Sequence, residues 1–311
     1  MIDQPILIAG FGSIGRRHFR NLKALGYKKF IFYRTGKGTL PDNEIADFPQ
    51  ESNLKKVLAY KPLATIVANP TALHLPVALE AARAGSHLFI EKPISHTTRG
   101  VEELRRLVRH RGLIVQVGFQ FRFHPSLRRV KRQLEEGLIG PVVSAQAHWG
   151  EYLPDWHPWE DYRQSYCARA ELGGGVLLTL CHPFDYLRWL FGVAVSVTGV
   201  QSKNGGLEIK VEDSADILLN FKSGVIGNVH LDYWQQPAEH FIRIIGQNGI
   251  IRWDNPKSFD RNKMFLAEMR HFLACIKKKE QPLCTLEDGI ESLRIVLAAK
   301  KSVEEKRLIR I

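Results

Sequence analysis

The chain is poor in cysteine. Its 311 residues hold only Cys167, Cys181, Cys275 and Cys284, and no two stand at C-x-x-C spacing. This argues against a zinc site and predicts buried, reduced thiols with no metal bound. No run is long and apolar enough to span a bilayer, so no membrane partner is expected. The first residues enter a strand-like run almost at once, a pattern that fits neither a signal peptide nor a transit peptide, and a cytoplasmic location is expected. Internal repeats and low-complexity linkers are missing too. Acidic residues are in deficit, with 32 Asp and Glu against 44 Lys and Arg, a net charge of +12. The excess is dispersed over separate helical stretches: Arg105, Arg106, Arg109 and Arg111; Arg128, Arg129, Lys131 and Arg132; Lys277, Lys278 and Lys279; Lys300 and Lys301. No zinc-finger, homeodomain or RNA-recognition signature accompanies them. A solvated surface is expected, with attraction of an acidic or phosphorylated substrate second, and no nucleic-acid partner.

What is present begins at Ile6-Leu-Ile-Ala-Gly10-Phe-Gly12-Ser13-Ile14-Gly15-Arg-Arg-His18. An apolar run stops at Gly10 and a helical pattern starts just after Gly12, with Gly-x-Gly-x-x-Gly between them. The first glycine permits the tight turn, the second lets a pyrophosphate approach the backbone, and the third lets the helix pack on the strand. The helix N-terminus then offers free N–H groups to the anion. Dinucleotide binding by Gly10, Gly12, Ser13, Ile14 and Gly15 is the expectation. An acid near the end of the second strand usually accepts hydrogen bonds from the adenosine ribose. This chain has Tyr33-Arg34-Thr35-Gly36-Lys37 instead. Arg34 suits adenine stacking or a 2′-phosphate, with Thr35 and Lys37 assisting, so NADP is expected in preference to NAD.

Along the chain, strands are predicted at 5–10, 28–33, 63–68, 86–90 and 113–118, with a short one near 44–47. They alternate with helices at 14–25, 52–60, 71–84 (with Thr71 as its cap) and 97–110. This alternation predicts a parallel sheet with helices on both faces. After Gly118 the pattern changes. A basic helix at 125–136 precedes a long strand at 141–152 and an aromatic loop, then Gly173-Gly174-Gly175 and a helix to about residue 190. From 193 to 253 apolar and polar residues alternate, with turns at Ser223-Gly224 and Asn248-Gly249, which predicts an antiparallel sheet. Helices at 262–279 and 286–304 follow. The fold class is α/β: an N-terminal Rossmann domain with a parallel sheet, plus a C-terminal α/β domain with a largely antiparallel open sheet. The boundary falls near 119, giving a dinucleotide-binding domain over 1–119 and a substrate-binding and oligomerisation domain over 120–311.

Several stretches carry a family resemblance: Gly10–His18, Asn69-Pro70-Thr71-x-x-His74, Glu91-Lys92-Pro93, Gly118-Phe-Gln120-Phe-Arg122-Phe, and Glu171-Leu-Gly173-Gly-Gly175 through His182-x-x-Asp185. In order and over most of the chain, they resemble the glucose–fructose oxidoreductase/inositol 2-dehydrogenase/rhizopine-catabolism family, Gfo/Idh/MocA. The resemblance implies NAD(P)-dependent oxidation or reduction of sugars, sugar acids, cyclitols or sugar nucleotides. It also implies an open sheet that mediates assembly into a dimer or tetramer, and a Lys92–Pro93 peptide that is often cis.

By resemblance, Asn69, Pro70, His74, Glu91, Lys92 and Gln120 approach the cofactor. Lys92 hydrogen-bonds the substrate oxygen and polarises a carbonyl, and His182 is the general acid/base, since imidazole titrates near working pH. Asp185, three residues on, either orients His182 or hydrogen-bonds the substrate. Pro183 cannot donate to the carbonyl of Thr179, which predicts a helix break that projects the imidazole into the cleft. Arg122 serves either a carboxylate or phosphate, or a structural salt bridge. The segment with Trp156, His157, Trp159, Arg163, Tyr166 and Arg169 suits a sugar face and an acidic group, or else packs on itself. The chain departs from the family at Thr179, where many members carry Asp. Thr179 can hydrogen-bond substrate but cannot act as a base. That departure favours a second reading, a non-catalytic NADP- or sugar-binding regulatory protein.

Overall fold

Strand β1 (Ile6–Ala9) is buried at every residue, and the chain leaves it through Gly10 into helix α1 (Ser13–Ala24). The computed structural model describes residues 4–311 except Lys37, Thr39, Asn204 and Lys257. Two compact units emerge. The first comprises the described residues up to Gln120 together with Asn262–Ile290; the second comprises Phe121–Arg261 and Glu291–Ile311.

In the first unit β1 is followed by β2 (Phe30–Tyr33), β3 (Gln50–Glu51), β4 (Ala64–Val67), β5 (His87–Ile90) and β6 (Val115–Val117). All pair in parallel, in the order β3-β2-β1-β4-β5-β6, which is Rossmann topology. Helices α2 (Leu54–Leu58), α3 (His74–Arg83) and α4 (Val101–Arg111) supply crossovers. Helix α4 shows why such segments are helical. Gly100 and Gly112 flank it with positive φ, Glu102 and Glu103 open it, and Arg109, His110 and Arg111 close it, matching the helix dipole at both ends. Beneath α1, edge-on rings of Phe11, Phe19, Phe30, Phe32 and Phe48 fill one side of the sheet.

Two local expectations are corrected. No strand forms near 44–47: Asn43–Ile45 is a 3₁₀ turn, and the strand beside β2 is β3. Thr71 does not cap a helix. Thr71–Leu73 is 3₁₀ and α3 starts at His74, because Pro76 has no N–H to return to Ala72.

The second unit opens with α5 (Pro125–Glu135) and β7 (Val142–Gly150). Helix α6 (Val176–Thr179) and helix α7 (His182–Phe191) follow the glycine triplet, and the break between them falls just before His182, beside the proline that predicts it. Strands β8 (Ala194–Ser202), β9 (Ser214–Phe221), β10 (Ile226–Asp232), β11 (Glu239–Gly246), β12 (Gly249–Asp254) and β13 (Ile309–Arg310) join β7 in the order β12-β11-β7-β10-β9-β8-β13. The turns at 222–225 and 247–248 are hairpins as expected. The pair β7–β10 is parallel, inside a sheet that is otherwise antiparallel. Ala145, Ala147 and Trp149 of β7 point inward. Finally α8 (Asn262–Lys278) returns to the first unit, where Met269, Phe272, Cys275 and Ile276 join the core around Ile6, Ile8, Phe19 and Phe89. Helix α9 (Leu286–Glu305) begins in the first unit and continues in the second.

Candidate functional site

In the first unit the three glycines are required in different ways. Gly10 has φ +93°, and a Cβ there would lie 2.6 Å from the Asn69 nitrogen. A Cβ on Gly15 would lie 2.2 Å from the Gly10 carbonyl oxygen. Gly12 faces open space, with nothing within 4 Å of a Cβ. The helix that follows has no side-chain cap bond and no acid in its first turn. The start of such a helix suits an anion, and Gly12 gives that anion room. Ser13 is exposed and Ile14 half-buried beside it.

Asn69, Pro70, His74 and Glu91-Lys92-Pro93 form a second cluster at the carboxyl ends of β4 and β5. His74 braces it: Nε2 lies 2.7 Å from the Asn69 carbonyl oxygen and Nδ1 2.8 Å from that of Pro93. Burial lowers its pKa and outweighs the two carbonyls, which favour the charged ring. Glu91 is buried against His18 of α1, Oε1 to Nε2 at 2.7 Å, and its Oε2 accepts from the Lys92 N–H at 3.2 Å. Burial alone would raise the Glu91 pKa, but the His18 bond and the charges of His18, Lys92 and His74 hold it below the usual range. The glycine helix and the Lys92 loop are thereby joined through His18, a residue within the opening motif to which the sequence reading gave no role. The Lys92–Pro93 peptide is cis, and Lys92 is half-buried. Asn69 Oδ1 and the Gln120 Oε1 are buried acceptors with no hydrogen-bond partner in the protein. Open space at Gly12, an uncapped helix and two orphan acceptors fit a dinucleotide carrying phosphates, hydroxyls and an amide.

Arg34 leaves β2 and meets Asp42, while its Nη1 donates to Gln50 at 3.2 Å. Thr35 is exposed, and Lys37 lies outside the described residues. Asp42 thus returns an acid to the strand end where the sequence shows none, eight residues later and by way of a loop.

In the second unit the glycine triplet is tightly held. A Cβ on Gly174 would lie 2.4 Å from the Cys167 carbonyl oxygen, and one on Gly175 (φ +98°) 2.3 Å from the Glu212 carboxylate. Glu212 accepts from the Leu177 N–H at 3.3 Å, and its burial raises its pKa. Thr179 is buried, its hydroxyl donating to the Gly175 carbonyl at 2.8 Å and bonded to the Tyr233 hydroxyl. His182 opens α7 and is 1% exposed. Its ring stacks on Trp149 with centroids 5.3 Å apart and meets Phe121 edge-on at 5.0 Å. Trp149 stacks in turn on His240 at 4.3 Å. The His182 imidazole thus sits among aromatic rings at the start of α7, with Pro183 in the second position of that helix.

Of the two readings kept open for Arg122, the geometry matches the salt bridge. Its Nε and Nη2 donate to Asp185 Oδ2 and Oδ1 at 3.0 and 2.7 Å, and Ser292 adds a bond at 3.2 Å. Asp185 is therefore turned towards Arg122 and Ser292. Arg163 pairs with Asp161 and Glu208, and Arg169 with Glu171, all on the surface. Trp156 packs edge-on against Tyr233 at 5.5 Å. Besides His18, residues that sequence reasoning missed are Asp42, Trp149, Tyr233 and His240. Only Trp149 carried a signal, its inward place in the alternation of β7.

Among the described residues no group of three His, Cys, Asp or Glu is placed to hold a metal, and no helix is long and apolar enough to cross a membrane. Three family models match the chain. Residues 5–119 match the NAD-binding Rossmann fold of an oxidoreductase family, 127–252 the GFO/IDH/MocA C-terminal domain, and 257–311 the C-terminal alpha/beta domain of the oxidoreductase family. An oxidoreductase of Synechocystis is 31% identical over 226 residues, covering 67% of this chain and 60% of that protein. The myo-inositol 2-dehydrogenase of Thermotoga maritima is 25% identical, covering 98% of this chain and 97% of its own. A solved scyllo-inositol dehydrogenase from Lactobacillus casei, with NAD(H) and scyllo-inositol bound, superposes with a TM-score of 0.83 at 19% identity over 99% of this chain and 98% of its own.

Proposed function

Because the chain belongs to the Gfo/Idh/MocA family of oxidoreductases, we propose that it transfers a hydride between NAD(P) and a hydroxyl or carbonyl carbon of a sugar, sugar acid or sugar nucleotide. The observation that carries this reading is Lys92. It is half-buried at the carboxyl end of β5, next to a Glu91 kept ionised by His18, with two orphan acceptors in the same unit. Relatives named as inositol dehydrogenases support the polyhydroxylated substrate class. When bound, the nicotinamide would supply the hydride acceptor or donor. Gly10, Gly12, Ser13, Ile14 and Gly15 would seat the pyrophosphate. Asn69 and Gln120 offer acceptors to cofactor donors, and His74 holds the Asn69 and Pro93 loops together. In this reading the Lys92 ammonium hydrogen-bonds the reacting oxygen and steadies charge on it, and His182 exchanges the proton. Thr179 and Asp185 are positioning groups, tied to Tyr233 and to Arg122.

The domain roles follow: cofactor binding by the first unit, substrate binding and assembly by the second. Assembly into a homo-oligomer is proposed through the outward sheet face, where Val200, Leu218, Ile226 and Ile250 are 67, 45, 52 and 55% exposed. A cytoplasmic site of action belongs to the same proposal. The second reading, a non-catalytic binding protein, is favoured by one observation: Thr179, bonded to Tyr233, offers no carboxylate.

Turnover of NAD(P)(H) with sugars, sugar acids and sugar nucleotides separates the two. Lys92→Ala is expected to lose about 100-fold or more in kcat while cofactor affinity stays within about threefold, the scale of a general acid/base or oxyanion donor. Unchanged kcat removes the assignment of Lys92, and absence of turnover by the unaltered protein leaves the binding-protein reading standing.

A further inference from the structure

Arg16 is the fourth residue of α1, just past the third glycine, and Arg34 follows the last residue of β2. Both guanidiniums close on one carboxylate. Asp42 Oδ1 accepts from Arg16 Nη2 at 3.0 Å, and Asp42 Oδ2 pairs with Arg34 Nη2. The clasp is fixed from several sides. Arg16 also donates to the Leu40 carbonyl at 3.1 Å and to Glu44 at 3.2 Å, and its guanidinium lies 4.3 Å from the Phe11 ring centroid. Arg20 holds the far side of Glu44. The Arg16 and Arg34 side chains are 7% and 16% exposed, and Asp42 is 34% exposed. Two guanidinium forks around one anion make the arrangement that suits a phosphate monoester. Here the chain's own carboxylate fills it. The place is the carboxyl end of β2, where this fold reads the 2′-substituent of the adenosine ribose.

We propose that Asp42 decides the choice of cofactor by occupying the anion position between Arg16 and Arg34. With Asp42 in the clasp, an unmodified ribose finds a carboxylate to accept its 2′-hydroxyl. A 2′-phosphate finds its arginine already paired and a like charge beside it. An arginine at this strand end favours NADP only when its fork is open, and in this chain the fork is closed, so the preference turns to NAD. The inference rests on the dinucleotide reading above and goes beyond it in naming the discriminating residue.

The test is calorimetric titration of the full chain with NAD⁺ and with NADP⁺, without substrate, so that binding alone is read. The unaltered protein is expected to bind NAD⁺ more tightly. Asp42→Asn removes the charge and keeps the shape, and it is expected to shift the affinity ratio about tenfold towards NADP⁺, the worth of one well-placed charge at a partly exposed site. Asp42→Ser serves as a second variant should the amide disturb the loop. Adding Arg34→Gln to Asp42→Asn is expected to abolish the gain. Glu44→Gln, which touches Arg16 and not Arg34, is expected to move the ratio less than about twofold. If both cofactors bind and Asp42→Asn leaves the ratio unchanged, or if the unaltered protein already prefers NADP⁺, the inference is overturned. Failure of the unaltered protein to bind either cofactor removes the dinucleotide reading itself, and this inference with it.

Discussion

Asp185→Ala strips a buried arginine of its counter-charge. In the second unit, Arg122 meets both oxygens of Asp185 through two parallel N–H donors at 3.0 and 2.7 Å, Ser292 donates to the same carboxylate at 3.2 Å, and both charged side chains are 2% exposed. Removing one partner of such a buried pair takes away a counter-charge that water replaces poorly, and breaking a buried pair from one side costs about 3–5 kcal/mol. Asp185 also stands in the first turn of α7, where a carboxylate gains a further ~0.3–1 kcal/mol from the helix dipole. The expected loss is therefore about 4 kcal/mol, or roughly 10 °C in the melting temperature of a unit of this size. Replacing both partners together, Arg122→Met with Asp185→Leu, is expected to cost less than Asp185→Ala alone, because no charge is stranded. Urea unfolding followed by circular dichroism, with hydrogen exchange read on the amides of α7, measures both variants. A loss below about 1 kcal/mol for the single variant, or a double variant worse than the single, would refute the reasoning.

Two glycine variants should separate packing from ligand access. Gly15→Ala drives a Cβ against the Gly10 carbonyl and is expected to lower both stability and NAD(P) affinity, whereas Gly12→Ala meets no protein atom and should keep its melting temperature while losing affinity about tenfold or more; normal calorimetric binding by both would end the pyrophosphate argument. Stability should also vary with pH in a specific direction. His230 stacks on His148 and lies between Asp232 and Asp216; the Asp232 bond foremost, against burial and with Asp216 assisting, pushes its pKa up to about 9. Its contribution is full below about pH 6.5 and is lost as pH rises through about 9, a limb of roughly 1–2 kcal/mol after solvent screening that His230→Gln should flatten in urea midpoints. On the acid side burial pushes His124 down to about 4 and His240 well below its ordinary value, so stability should fall as pH drops from about 6.5 towards 4.

The strand–turn–helix at Gly10–Gly15 was legible because each glycine answers a local backbone or contact demand. The alternation of β8 to β12 was legible because one face is buried and turn residues punctuate it. Other features depend on contacts between residues far apart in sequence. Arg122 and Asp185 are 63 positions apart, and nothing local to either residue singles out the other as its partner. Thr179 and Tyr233 are 54 apart, so the departure from the family's Asp was visible while the phenol that meets it was not. Asp42 was hidden for another reason: it lies on a loop without periodicity, and its place beside Arg34 depends on Arg16 holding Leu40 and Glu44 as well. The parallel pair β7–β10 escaped because hairpin turns report only neighbouring strands. The return of 262–290 to the first unit was likewise absent from the pattern, since an amphipathic helix does not say which sheet it covers.

That return has a consequence for how the chain is made. The core beneath α1 is completed by Met269, Phe272, Cys275 and Ile276, which leave the ribosome about 150 residues after Gln120. At synthesis rates of roughly 5–20 residues per second, the nascent first unit waits on the order of ten seconds or more with part of its apolar sheet uncovered. The Rossmann half is thus begun first and finished late, with Phe89 lacking the edge-on ring of Phe272 until α8 has been made.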